Sequence, residues 1–256
     1  MIHSTAIIDP TAEIADGVSV GAYAVIGPHV KIGENTEIHH HVILEGPTTI
    51  GKNNKIFPFA SIGLEPQDKK FKGEETFLEI GDNNVIREYV TMNRGTGAGG
   101  GLTKLGDDGW IMAYCHIAHD CLLGNGIVMA NAATLAGHVT IKDKVTIGGL
   151  TGIHQFCKIG EYSLIGGQSM VTQDVAPYTI VAGNRAKLSG LNYVGLERNG
   201  FSKAQVKDIN QAFKIFFKSG NTKNDAVEKL KESYPDSPHI QMLIDFVISS
   251  ERGVCR

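Results

Sequence analysis

Aliphatic residues recur at every sixth position: Ile8, Ile14, Val20, Ile26, Ile32, Ile38, Leu44, Ile50, Ile56 and Ile62. The series resumes at Ile80, Ile86 and Met92. It runs again from Leu105 through Ile111, Ile117, Leu123, Met129, Leu135, Ile141, Ile147, Ile153, Ile159 and Ile165 to Val171. Small or β-branched residues tend to follow four places later, as at Val18, Ala24, Val30, Thr36, Val42 and Ala60. A six-residue period fits neither a helix of 3.6 residues per turn nor an alternating strand. It fits short strands separated by turns, each giving one inward aliphatic side chain to a side of a prism. Three sides make an 18-residue coil, and successive coils stack as parallel strands about 4.8 Å apart. The 31 glycines belong to no low-complexity tract, so the period itself explains them.

The pattern predicts an all-β parallel β-helix over residues 1–190, interrupted twice. Between Ile62 and Ile80 the frame survives but the hexapeptides fail, which marks a polar loop near 63–79. Between Met92 and Leu105 the spacing is thirteen, which marks a second excursion near 95–104. Loops on a rigid solenoid are where binding and catalytic groups concentrate. After Pro177 the repeat fades, and residues 191–256 read as an α-helical domain. Ser202 caps a helix reaching Lys218 with Gly220 beyond it, a second helix covers about 223–232, and Ser237-Pro238 opens a third that ends near Gly253.

A net charge of −3 gives no basic field for nucleic acid. No stretch approaches about 18 apolar residues and the N-terminus lacks a leader pattern, so a cytoplasmic protein without stable membrane insertion is expected. Cys115, Cys121, Cys157 and Cys255 have no metal-type or redox-type spacing, and the first three fall in the small-residue slot, which predicts buried reduced thiols.

Coil arithmetic separates the histidines. His39, His40 and His41 fall on an outward stretch and read as surface. His119, His138 and His154 follow Ile117, Leu135 and Ile153, which are 18 and 36 residues apart, so they share one side of the prism on consecutive coils. His138 would stand about 5 Å and His154 about 10 Å along the axis from His119, with His116 at the preceding corner. An imidazole titrating near neutrality suits proton removal from a hydroxyl, and Asp120 beside it could orient it. Three histidines spread over about 10 Å do not converge on one zinc ion. No metal is therefore expected, although a zinc enzyme like the gamma-class carbonic anhydrases is the rival reading.

Several segments in order carry a resemblance: Gln67-Asp68-Lys69-Lys70, Ile86-Arg87-Glu88, Arg94-Gly95-Thr96, Gly99 to Lys104, His116 to Cys121, Leu135-Ala136-Gly137-His138-Val139 and His154-Gln155-Phe156-Cys157. With Gly200-Phe201-Ser202, the set resembles the UDP-N-acetylglucosamine O-acyltransferase family of lipid A synthesis over essentially the whole chain. The resemblance implies a left-handed coil, against the usual hand of parallel crossovers. It implies transfer of a 3-hydroxyacyl group from acyl carrier protein to the sugar 3-hydroxyl. The enzyme would need no cofactor of its own, since the donor carries 4′-phosphopantetheine. His119 would be the base, Asp120 its partner and the Gly137 N–H the oxyanion donor. Gln67, Asp68, Lys70, His116, His138, His154, Gln155, Asn192 and Arg198 would bind substrate, with Gly167 and Leu164 ending the acyl groove. A homotrimer with sites between subunits is the implied assembly. Val194 and Asn199 depart from the family's usual glutamate and second arginine, which bears on the nucleotide contacts. The related glucosamine N-acyltransferases usually carry an N-terminal uridine-binding domain, for which hexapeptides beginning at Ile8 leave no room. On the first long helix Lys203, Lys207, Lys214 and Lys218 share a face, expected to meet the acidic carrier.

Overall fold

The computed structural model describes residues 1–256. Its strands, mostly two or three residues long, assemble into three parallel sheets of nine, eight and ten members, one per side of the prism. Face one carries Ile8, Ile26, Leu44, Ile62, Met92, Ile117, Leu135, Ile153 and Val171, and face two carries Ile14, Ile32, Ile50, Ile80, Leu105, Leu123, Ile141 and Ile159. Face three carries Val20, Ile38, Ile56, Ile86, Ile111, Met129, Ile147 and Ile165, and closes with the antiparallel pair Thr179–Ala182 and Lys187–Leu191. Beyond the first turns, the repeating aliphatic residues are buried and form one continuous core. The fold is the left-handed parallel β-helix, followed by helices.

Register reports the two excursions directly. Paired residues stand 18 apart in ordinary coils, as in Ile43 against Ser61. The step from Ser61 to Thr91 is 30, and from Thr91 to His116 it is 25. Both insertions lie between a face-one strand and the next face-two strand, Leu64 to Phe77 and Asn93 to Leu102, so they leave the prism at the same corner.

The corners are built from left-handed residues. Tyr23, His41, Phe59, Tyr89 and Tyr114 adopt φ of 57–66° between faces three and one, and Asp120, His138 and Phe156 adopt 60–64° between faces one and two. Side chains other than glycine occupy this region only where surroundings over-determine it. Here the paired strands on both sides impose it.

Four helices follow: α1 (Tyr193–Arg198), α2 (Lys203–Phe217), α3 (Lys223–Ser233) and α4 (Pro238–Ser249). None is long and apolar enough to cross a membrane. Ser202 and Gln205 form a reciprocal capping box on α2. α1 escaped the sequence pattern because six residues are too few to show a period. α4 stops at Ser249 rather than near Gly253 because the tail folds back: the Asp174 N–H donates to the Gly253 carbonyl at 3.0 Å, and the Cys255 N–H to that of Asp174 at 2.8 Å. The four cysteines are buried as expected, and burial pushes the Cys121 and Cys157 thiols up to about 12.

Polar residues also enter the core, as a ladder in the small-residue slot. Asn54 Oδ1 accepts from the Asn84 N–H at 2.8 Å, and Asn84 Oδ1 from the Gly109 N–H at 2.7 Å. Replacing Asn84 by Ala strands the buried Gly109 donor, so a loss of about 1–3 kcal/mol is expected in denaturant unfolding. A loss below about 0.3 kcal/mol would mean that the ladder is dispensable.

Candidate active site

Asp120 is a buried carboxylate at the corner between faces one and two, its side chain 1% exposed. Its Oδ1 accepts the Thr96 N–H at 2.8 Å, and its Oδ2 accepts the Thr96 hydroxyl at 2.7 Å and His119 Nδ1 at 2.8 Å. Its own N–H donates to the Thr103 hydroxyl at 2.8 Å. An ionised carboxylate only accepts, so Nδ1 of His119 carries the proton and Nε2 keeps its lone pair. Thr96 comes from the second excursion, and Thr103 from the face-two strand Leu102–Leu105 into which it leads. Their roles were not legible in the sequence, where only the irregular thirteen-residue spacing hinted at them.

Gly137 stands 18 residues above His119 on the next coil. A Cβ there would lie 2.5 Å from His119 Cε1 and 2.8 Å from Nε2, so the imidazole occupies the space that only glycine leaves. The Gly137 N–H donates to no group in the chain. A free acceptor nitrogen and a free backbone donor thus share one wall.

That wall belongs to an open cavity of about 440 Å³ that brings together Gln67, His116, His119, Gly137 and His154. Ala118, Thr134, Leu135, Ala136, Gly152, Ile153 and Met170 complete the lining. Thr134, Gly152 and Met170 repeat the outward slot of His116 at intervals of 18, a signal available in the sequence. Thr91 lies 2.7 Å from His116 Nδ1, while burial and the neighbouring His119 hold the His116 imidazole below its ordinary value.

The remaining candidates lie elsewhere. His138 stacks above Asp120 rather than above His119. Its ring meets the His119 ring edge-on at 5.1 Å, packs on Phe156 at 4.5 Å, and does not line the cavity. His119, Asp120 and His138 offer ligand atoms within 4.8 Å of one another, but Asp120 Oδ2 is engaged by Thr96 and His119. Asp68 accepts the Lys70 N–H at 3.0 Å in the exposed first excursion, and Gln155 is exposed one coil above Gly137. Leu164 is on face three, with Gly167 at the corner that follows. Asn192 caps α1 through the Gly195 N–H and donates to the Tyr162 carbonyl at 2.8 Å, and Arg198 ends that helix. One chain therefore gathers part of the expected set, and leaves Leu164, Gly167, Asn192 and Arg198 outside the His119 cavity.

Gly137→Ala is expected to fold with a near-unchanged thermal transition while displacing the imidazole. Loss of the downfield His119 Nδ1–H proton resonance would record the broken bond to Asp120, and its persistence would contradict the packing.

The family model described as "Udp N-acetylglucosamine O-acyltransferase; Domain 2" matches residues 174–255. The acyl-[acyl-carrier-protein]–UDP-N-acetylglucosamine O-acyltransferase of Paracidovorax citrulli is 56% identical over 259 residues, covering 100% of this chain and 99% of that protein. LpxA from Acinetobacter baumannii superposes with a TM-score of 0.97 at 50% identity, covering 100% of this chain and 99% of its own. The UDP-N-acetylglucosamine O-acyltransferase (LpxA) of Moraxella catarrhalis gives 0.97 at 45% identity, with coverage of 100% and 99%. With this identity maintained from end to end through both solenoid and helices, the chain belongs to the UDP-N-acetylglucosamine O-acyltransferase family.

Proposed function

We propose that this chain transfers a 3-hydroxyacyl group from acyl carrier protein to the 3-hydroxyl of UDP-N-acetylglucosamine, the opening step of lipid A synthesis, in the cytoplasm. The observation that carries the reading is the placing of His119 Nε2, the ring nitrogen that Asp120 leaves free, beside the unpartnered Gly137 N–H. Nε2 takes the proton of the sugar hydroxyl as its oxygen attacks the thioester carbon. The resulting tetrahedral oxyanion accepts a hydrogen bond from Gly137, a contribution worth about 10²–10³ in rate for one preorganised donor. Collapse expels the pantetheine thiolate, which takes the proton back from the imidazolium. Asp120 stabilises that cation through the 2.8 Å bond, at a corner where Thr96 already fixes the carboxylate.

The working form in this reading is a threefold ring, because one chain presents only half a cleft. When face one of each protomer packs on face three of the next, Asn192 and Arg198 of the partner subunit approach the mouth beside His119. Leu164 of the partner subunit then faces the groove, with the partner's Gly167 ending it. The same geometry puts the corner between faces three and one on the threefold axis. That corner carries Tyr23, His41, Phe59, Tyr89 and Tyr114 in a continuous ring ladder with centroid spacings of 4.9–5.2 Å. Tyr23, Phe59, Tyr89 and Tyr114 are 43–61% exposed in the single chain, an apolar strip that a partner would cover. The acidic carrier is suited by α2, where Lys203, Lys207, Lys214 and Lys218 are exposed while Ile209, Phe213 and Phe216 are buried.

His119→Ala tests the chemistry: turnover of 3-hydroxyacyl carrier protein with UDP-N-acetylglucosamine should fall at least about 10²-fold with no change in oligomeric state. Retention of more than about a tenth of the rate would assign the base elsewhere. Phe59→Glu with Tyr89→Glu tests the ring by gathering like charges on the axis. Sedimentation should then show monomers, and a fully active trimer would remove the ladder from the interface.

A further inference from the structure

We propose that Arg185, Lys187, Arg252 and Arg256 form a phosphate subsite for the donor, holding the phosphodiester that joins the phosphopantetheine arm to its carrier. The assignment rests on the acyl-transfer reading and deepens it. The four side chains line a cavity of about 660 Å³ at the end of the solenoid, together with His154 and Gln173. No aspartate or glutamate side chain lines this cavity, and none of the four cationic side chains enters an ion pair. Four like charges around one hollow repel one another, and an anion placed among them removes that repulsion. Arginine forks also match phosphate oxygens in pairs.

Two separate segments deliver these cations, and the last coil pins both. The turn bearing Arg185 and Lys187 is held where the Ala186 N–H donates to the Met170 carbonyl at 2.8 Å and the Gly183 N–H to the Ser169 hydroxyl at 3.0 Å. The tail bearing Arg252 and Arg256 is held by its backbone bonds to Asp174, and by the Ser250 hydroxyl donating to the Asp174 carboxylate at 2.7 Å. Such convergence makes a defined hollow rather than a scatter of surface charge. His154 lines this cavity and the His119 cavity alike, and Arg252 Nη2 stands 3.3 Å from its Nδ1. On the other side the Arg256 guanidinium lies 5.4 Å over the Phe216 ring of α2, next to the helix whose lysines suit the carrier.

Length decides which phosphate belongs there. Gly137, Gln155 and Gln173 follow His119 at 18-residue steps, so the subsite is three coils, about 14 Å, along the axis from the base. From thioester sulfur to phosphorus the arm spans about thirteen bonds, roughly 15 Å at the pitch of an extended chain. In the sugar nucleotide only about five and seven bonds separate the 3-oxygen from the two phosphorus atoms, roughly 6–8 Å. The arm reaches the cluster from the reacting carbon, whereas the diphosphate falls short.

The test is calorimetry on the intact protein with 4′-phosphopantetheine and with pantetheine, beside steady-state kinetics. The wild type should bind the phosphorylated arm at least about tenfold more tightly. Arg185→Gln with Lys187→Gln should abolish that preference and raise KM for 3-hydroxyacyl phosphopantetheine by a similar factor. Pantetheine binding, kcat and KM for UDP-N-acetylglucosamine should stay unchanged, and Arg252→Gln gives a second variant on the independent segment. A preference surviving in both folded variants overturns the proposal. So does a rise confined to the nucleotide KM, which would give the cluster to the diphosphate. Wild-type turnover of acyl carrier protein is scored separately: its absence would count against the acyl-transfer reading, while calorimetry alone decides the subsite.

Discussion

Each coil of this chain is hydrogen-bonded to the next, 18 residues on except across the two insertions, and that stacking is the constraint on which the remaining structure rests. A two-residue strand has no stability of its own. It persists because its backbone is paired above and below, and because its inward aliphatic side chain packs on the one from the next coil. The corners inherit their geometry from the same pairing, including the left-handed conformations that Asp120, His138 and Phe156 would disfavour in isolation. Between insertions, a residue's place within its 18-residue coil therefore fixes its face and the direction of its side chain, and the number of the coil fixes its height.

The site exploits the places where this rule is broken. A buried carboxylate costs several kcal/mol unless its oxygens are occupied by strong donors. Within its own coil Asp120 finds only the His119 Nδ1 donor. The 25-residue step supplies the rest: the second excursion brings the Thr96 N–H and hydroxyl onto the carboxylate, while the Thr103 hydroxyl, on the strand that follows, accepts from the Asp120 N–H. A Cβ on Gly99 would lie 2.1 Å from Asp120 Cγ, so that loop closes directly over the carboxylate. The 30-residue step adds Gln67 to the cavity from the same corner one coil earlier. Both insertions thus serve one imidazole.

Legibility in the sequence followed the same division. The period specified the three faces, the inward residues from Val18 to Val171 and the common side of His119 and His154, because those depend on counting alone; His116, expected at the preceding corner, lies on the face-one strand itself. Counting also limited the reading of His138. It sits in the corner slot over Asp120, one place off the His119 register, and its left-handed backbone turns the ring onto Phe156. Thr96 was invisible because a loop's path is set by the bonds it makes on arrival, not by any repeat; Thr103 falls in the small-residue slot 18 before Cys121, where counting gives its place but not its bond to Asp120. The tail that ends α4 at Ser249 and pairs with Asp174 was missed for the same reason.

The separation of Leu164, Gly167, Asn192 and Arg198 from His119 follows from the prism itself. A convex solid of three flat faces cannot fold a cleft into its own side, so a solenoid encloses a substrate only by meeting another surface. Face one and the corner after it carry His119 and Gly137, while face three and its flanking corners hold the other candidates. In the proposed closed ring, face-to-face packing would join the two sets in every cleft at once. The exposed aromatic ladder lies on the one edge that such a ring brings to its axis. Catalytic geometry and subunit association then draw on a single property of the chain, which side of an 18-residue coil each residue occupies.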